Sequence, residues 1–334
     1  MGGAGTGSVA CARALSIASM MVIAACNATL EPPPAVHRRG TEADTPPKPS
    51  ATPSLWFGGD VHLGTSARAD LSAITAMMGD AGGVVNLEGS IAGGPGGARI
   101  ATDGAVWLAN PTETPDFLHN NGIIVASIAN NHITDLGGEG AARTAAVLRV
   151  AGVAPVGGLA GAATLDVHGV RVHFLAHEVE EPRLSSVLRD ELASAQLASG
   201  AEFFVVSLHV TEKPSYLPSA LLNEVVDAAV SREADVIVVH GSHLVGPVEQ
   251  KGKSIVAYGL GNLLFDCPCT TQTEAILLRV PLGPASATEI IPIRAGMLGA
   301  PATFAPDVDG ILDLVAGLGG SPFSRLGGRG FLTR

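Results

Sequence analysis

Positive charge is scarce in this chain. Lysine and arginine number 20 against 31 aspartates and glutamates in 334 residues, a formal net charge of −11. A polyanion-binding surface has no electrostatic support, and no nucleic-acid partner is expected. Cysteine is scarcer still, at four residues. Only Cys267 and Cys269 lie close together, with Pro268 between them. With no second pair, a cysteine zinc site or a redox motif has little to build on. An oxidising compartment would permit a bridge that closes a small ring, and a detail of a loop is the plainer reading. Near the N-terminus a long apolar run is also missing: residues 14–25 are too few to span a bilayer as a helix.

Glycine and apolar side chains are plentiful, at 42 residues and 46%. They fit many tight loops around a well-buried sheet, in one large domain or two smaller ones. Arg13 and the short apolar run end in Val22-Ile23-Ala24-Ala25-Cys26. This resembles a bacterial lipobox, which implies cleavage after residue 25 and a lipid anchor at Cys26. An ordinary signal peptide is the alternative. Asn27 follows, so the common aspartate retention signal is absent. Residues 27–53 hold seven prolines and no apolar period, and residues 26–53 read as a lipidated cysteine with a semi-rigid tether. The expected location is the cell envelope, on the extracytoplasmic side of a membrane. A globular domain is expected over 54–300, with a glycine- and proline-rich, partly disordered extension over 301–334.

Strand and helix patterns alternate through the domain. Strands are expected at 55–57, 83–87, 123–128, 203–208, 235–239, 275–280 and 289–293. Helices are expected at 68–78, 114–120, 139–150, 184–197 and 220–231. Hairpins are expected at 165–175 and 245–258. Continuous apolar strands between helices predict a sheet buried on both faces, and the hairpins make it mixed.

Five polar clusters follow strand-like runs: Asp60-Val-His62, Asn86-Leu-Glu88, Asn130-Asn131-His132, His209, and His240-Gly-Ser-His243. In open α/β sheets, ligands gather beyond the carboxyl ends of the strands. Any one cluster is readily a turn or a packed core histidine. Five in one topological position make a set suited to divalent metals.

In order and spacing these residues, with Asp135, Gly137 and the run from Gly252 to Asp266, resemble the calcineurin-like metallophosphatase superfamily. The chain is more closely similar to its bacterial capsule-synthesis CapA branch, associated with poly-γ-glutamate. The resemblance covers roughly residues 55–295. It implies a layered α/β sandwich with mixed sheets and a site at the strand C-terminal ends. It also implies divalent metal ions, two of them, manganese, iron or zinc. Asp60, His62, Glu88, Asn131, His209, His240 and His243 would be ligands. His132 would move a proton to the leaving oxygen. Asn86, Asn130, Glu212 and Asn262 are candidates to contact substrate or hold the ligands, with a surface position for Glu212 and the closing of a turn for Asn262 as the alternatives. Ile133 stands where the superfamily carries an acid, and a His-x-x-His replaces its final His-x-His. The implied activity is hydrolysis of a phosphoester or related bond. The alternative is a non-catalytic factor that assembles or exports an anionic capsule polymer.

Overall fold

The computed structural model describes residues 52–333, apart from 66–68, 180–184, 199, 212–213 and 284–286. Cys26, almost all of the tether, and Glu212 therefore lie outside the described residues.

The chain opens with β1 (Ser54–His62), α1 (Ser72–Met78) and β2 (Gly82–Leu87). A ribbon follows: β3 (Ser90–Ile91), β4 (Gly97–Ile100) and β5 (Val106–Asn110). Next come α2 (Thr114–Asn120), β6 (Ile123–Ser127), α3 (Gly137–Val150) and β7 (Ala154–Val156). The second half begins with β8 (Ala163–Val167), β9 (Val170–Val179), α4 (Ser186–Ala198) and β10 (Phe203–Val210). It continues through α5 (Ala220–Ser231), β11 (Val236–His240), β12 (Val248–Lys251) and β13 (Ser254–Ala257). The chain then crosses back through β14 (Asn262–Phe265), β15 (Glu274–Pro281), β16 (Thr288–Arg294) and β17 (Thr303–Phe304). It ends with α6 (Val308–Gly317), β18 (Ser324–Leu326) and β19 (Arg329–Leu332).

Two mixed sheets result. One runs β18-β19-β16-β15-β1-β2-β6-β7, with β14 on β1 and β17 on β16; the other runs β12-β13-β11-β10-β9-β8. Period-2 alternation sorts their side chains into layers. Leu55, Phe57, Val84 and Val125 of the first sheet meet Phe174, Val205, Val236 and Val238 of the second in one buried core. The intervening residues Trp56, Val85 and Ala126 face outward, onto Ile74 and Met78 of α1, Leu118 of α2 and Leu148 of α3. Val206, Ile237 and Val239 face the other way, onto Leu188 and Leu192 of α4 and Val225 and Val226 of α5. The architecture is a layered α/β sandwich, with helices outside two face-to-face mixed sheets.

Three differences from the sequence reading matter most for the core and the site. The first strand does not stop at Phe57. Gly58 and Gly59 form a bulge, so that Phe57 pairs with Val84 and Asp60 with Asn86, three steps against two. Glycine is required at 59 because a Cβ there would lie 1.8 Å from the Gly261 carbonyl oxygen. The second difference is the β3–β5 ribbon, in a stretch to which the sequence reading assigns no element. Its strands are two to five residues long and interleaved with glycines, too short to show a period. The third is the C-terminal segment, which is ordered into α6 and the β18–β19 hairpin rather than partly disordered. Asp307 caps α6 by accepting from Gly310 N–H at 2.9 Å. Ile311, Leu312 and Val315 then fall on one helical face and join the core between the sheets. The hairpin extends the first sheet through β19 and β16.

Leu312 is 1% exposed. Leu312→Ala should therefore lower unfolding stability by about 2–5 kcal/mol, read as a shifted urea midpoint at unchanged slope. A change within about 0.5 kcal/mol, the range of a surface substitution, would mean that α6 does not pack as described.

Candidate metal centre between the sheets

The strand ends of the two sheets converge on a single polar cluster. The bulge explains why Asp60 belongs to it. Unbroken alternation from Phe57 would put residue 61 in the central core and Asp60 against the helices. The extra residue reverses this: Val61 packs with the outer helices, and Asp60 faces the second sheet. In β2 the alternation is undisturbed, and Asn86 and Glu88 follow Val84 on the inner side. In β10 and β11, His209 and His240 continue the inner rows of Val205 and Val238 and lie in register with each other.

Asp60 is 1% exposed. Its Oδ1 accepts from Asn86 Nδ2 at 2.9 Å, and its Oδ2 lies 3.1 Å from His243 Nδ1. His240 Nδ1 is 3.3 Å from Asp60 Oδ1 but lacks the alignment of a hydrogen bond. Burial alone would raise the Asp60 carboxyl; His240 and His243 outweigh it and hold the group well below the usual carboxylate range. Glu88 lies across the cluster. Its Oε1 is 3.8 Å from His243 Nε2 and 3.9 Å from both His132 Nε2 and His209 Nε2. Among the described residues its Oε2 has no hydrogen-bond partner. Burial, with a smaller push from Asp60, raises it to about 7. His243 moves in the opposite sense to a buried base: Glu88, Asp60 and the Asn262 amide outweigh its burial and raise it to about 9. Burial keeps His209 neutral, at about 3, and His62 at about 4.

The surrounding amides fix the loops. Asn130 Nδ2 donates to Asn86 Oδ1 at 3.1 Å and to the Leu87 carbonyl at 2.9 Å. Asn262 Oδ1 pairs with His243 Nδ1 at 2.9 Å. Asn110, which the sequence reading missed, is fully buried. It accepts from Leu63 N–H at 2.9 Å and donates to the Glu88 carbonyl at 2.8 Å, tying the exits of β1 and β2 together. Asp135, which the sequence marks only by its place after the Asn-His pair, pairs with His132 Nδ1 at 2.8 Å. The same Asp135 oxygen accepts from Leu108 N–H at 2.7 Å. No local signal marks Asn110 or Leu108, since their partners are distant in sequence.

Asp60, Glu88, His132, His209, His240 and His243, with Asn86, Asn130 and Asn262, are thus brought together. Two expected ligands differ from these in their surroundings. Asn131 is exposed, and its neighbour Asn130 takes the buried position because the Leu87 carbonyl needs that amide. His62 is buried, but among the described residues its ring nitrogens have no hydrogen-bond partner, and it packs against Phe265 with ring centres 5.7 Å apart.

Asp60, Glu88 and His243 each offer a ligand atom within 4.8 Å of the others. Among the described residues, Glu88 Oε2, both His209 nitrogens and His240 Nδ1 are buried without a hydrogen-bond partner. Buried polar atoms left unpaired are costly. Carboxylate and imidazole atoms in this state fit a divalent cation of borderline softness.

Residues 54–267 match the family described as bacterial capsule synthesis protein PGA_cap. The capsule biosynthesis protein CapA of Bacillus anthracis is 28% identical over 199 residues, covering 53% of this chain and 48% of that protein. The chain thus spans about half the length of this curated relative. Among solved structures, a phosphatase from Mycoplasma pneumoniae is 12% identical with a TM-score of 0.47, over 74% of this chain and 95% of that one. A putative 5'-nucleotidase from Staphylococcus aureus is 13% identical with a TM-score of 0.42, over 68% of this chain and 50% of that one.

Cation binding must displace the protons that Glu88 and His243 carry, whereas His209 is already neutral. Both former groups are raised, so binding should strengthen as pH rises through about 7 and towards about 9. Titration calorimetry of the metal-free protein with Mn²⁺, in buffers of different ionisation enthalpy, should show proton release. An affinity independent of pH would remove Glu88 and His243 from the ligand set.

Proposed function

The chain belongs to the bacterial capsule synthesis protein PGA_cap family, and from that premise we propose that it is an envelope-anchored metallohydrolase that cleaves a phosphoester or related bond. The observation that carries this is the His132–Asp135 pair beside the buried ligand group. A binding module needs only ligands for a cation, and a histidine held by an acid at the edge of the cluster adds a group able to donate a proton.

Asp60, Glu88, His209, His240 and His243 would hold the cations, with Asn131 and His62 as further candidates at its rim. Two ions, manganese, iron or zinc, would supply Lewis-acid activation of water and neutralise charge on a phosphoryl centre. The chain's own residues do the rest. Asp135 accepts from His132 Nδ1, which fixes the tautomer and leaves Nε2 facing the cluster, 3.9 Å from Glu88 Oε1. When His132 takes up a second proton, Asp135 balances its charge, and Nε2–H becomes a donor for the departing oxygen. Leu108 N–H holds the Asp135 carboxylate in place for this exchange. Asn86 and Asn130 keep Asp60 and the Glu88 backbone from shifting as charge develops.

The lipobox supports anchoring to a membrane through Cys26. Among the described residues, no helix is long and apolar enough to cross a membrane. The family and the Bacillus relative support a role in capsule synthesis, with an anionic capsule polymer such as poly-γ-glutamate, or a phosphoester substrate, as partner. Bound cations would supply the positive charge that a chain of net −11 lacks.

Phosphomonoester and diester hydrolysis with Mn²⁺, Fe²⁺ or Zn²⁺ tests the reading. His132→Ala should lower kcat by about 10²–10⁴-fold with metal content unchanged. Asp135→Asn should lose a smaller part of kcat, and His209→Ala should lose metal. Full metal loading without turnover on any ester would leave the assembly-factor reading in its place. Globomycin-sensitive processing checks the anchor at Cys26.

A further inference from the structure

Cys267 and Cys269 are joined by a disulfide in the loop between β14 and β15. Cys267 is fully buried and packs with Phe265 and Leu108, while Cys269, Val106 and Ala98 close the cluster from a partly exposed side. Its two apolar neighbours each support one wall of the metal centre. The Phe265 ring stands edge-on to His243 with centres 4.7 Å apart. Leu108 N–H holds Asp135, which holds His132. Three further bonds tie the loop to the exit of β1 and to Asn262. Asp266 N–H donates to the His62 carbonyl at 2.8 Å. Asp266 Oδ2 accepts from Thr65 N–H at 3.1 Å. The Gln272 carbonyl accepts from Asn262 Nδ2 at 3.4 Å, and Asn262 in turn pairs with His243.

We propose that this bridge is a reducible prop beneath the metal centre, and that a dithiol reductant is the partner that switches it. Cys269 is the accessible end. A thiolate of the reductant attacks Cys269 Sγ, the S–S bond breaks, and Cys267 leaves as a thiolate. That thiolate already faces the Cys269 N–H at 3.1 Å. The second thiol of the reductant then displaces Cys269, and both cysteines take up protons. The bridge gains two electrons and two protons, and the dithiol becomes a disulfide. The loop loses its covalent ring, and a free thiol replaces a closed bridge in the packing under Phe265 and Leu108. His243 and the Asp135–His132 pair lose their backing together, although neither cysteine touches them.

The consequence for hydrolysis rests on the function proposed above; the consequence for local order does not. The full chain, purified without reductant and freed of metal, is compared with its dithiol-reduced form by hydrogen exchange. Segments 106–110 and 262–266 should exchange roughly tenfold faster after reduction, while α5 is unchanged. Mn²⁺ affinity should fall by roughly tenfold, and reoxidation should restore both. The double variant Cys267→Ser/Cys269→Ser should behave as the reduced protein and ignore dithiol. If that variant does not fold, the reduction and reoxidation of the wild type decide alone. Equal exchange and affinity in the two states would overturn the inference, as would peptide mapping that finds both thiols free before reduction. Redox-dependent exchange and affinity without turnover in either state would remove the hydrolase reading and leave the prop standing.

Discussion

Two carboxylates are buried between two β-sheets, and the site is organised around making that tolerable. An isolated ionised carboxylate in a dry interior is far less stable than one in water. Asp60 is compensated inside the protein: an amide, two imidazoles and a backbone N–H surround it, and it stays charged. Glu88 is not. One of its oxygens has no hydrogen-bond partner among the described residues, and burial pushes the group up to about 7. A protein gains nothing in stability from that arrangement. Each buried unpaired polar atom costs about 1–3 kcal/mol, and removing the groups altogether would be gentler. An asymmetric pair of this kind makes sense when a cation completes it. Glu88, with the unpaired His209 and His240 atoms, is the side left open for one.

Much of this arrangement is legible in the sequence, because strands buried on both faces are continuous apolar runs, and the polar residues at their carboxyl ends stand out against them. Once the inner rows of β2, β10 and β11 are followed to their ends, Glu88, His209 and His240 fall on the inner side. The Gly58-Gly59 bulge is harder to read. Two glycines before an aspartate look like a turn, and only the distant Gly261 shows that they are a strand in close contact with another. The bulge also reverses the facing of everything after it, so Asp60 reaches the centre through a break in the period rather than through the period itself.

The residues that cannot be read locally are those whose role is to hold others. Asn110 ends a short ribbon strand and looks like a turn former, yet it joins segments 47 and 22 residues away. Leu108 acts through its N–H, which has no side-chain signature at all. Asn130 and Asn131 are chemically identical neighbours after a strand. The choice between them is made by the Leu87 carbonyl on another strand, which requires a donor at one position. The C-terminal helix escaped for a related reason. Its three core residues match a helical stripe, but the surrounding glycine and proline mask it until the core between the sheets supplies a surface to cover.

The His-x-x-His spacing shows how a changed sequence interval reaches the same carboxylate. In an extended strand, residues three apart point to opposite faces, so His240 and His243 could not both meet Asp60. Two left-handed residues turn the chain between them. Gly241 has φ 96°, and a Cβ there would come within 2.9 Å of the His209 ring. His243 itself has φ 57°, which costs a non-glycine residue about 1–2 kcal/mol. That conformation is over-determined by what the imidazole touches: Asp60 and Asn262 at hydrogen-bonding distance and Phe265 edge-on. A histidine placed freely would avoid the left-handed region. One held there by three separate contacts is under constraint from the site, so the longer interval is a rerouted path to the same carboxylate.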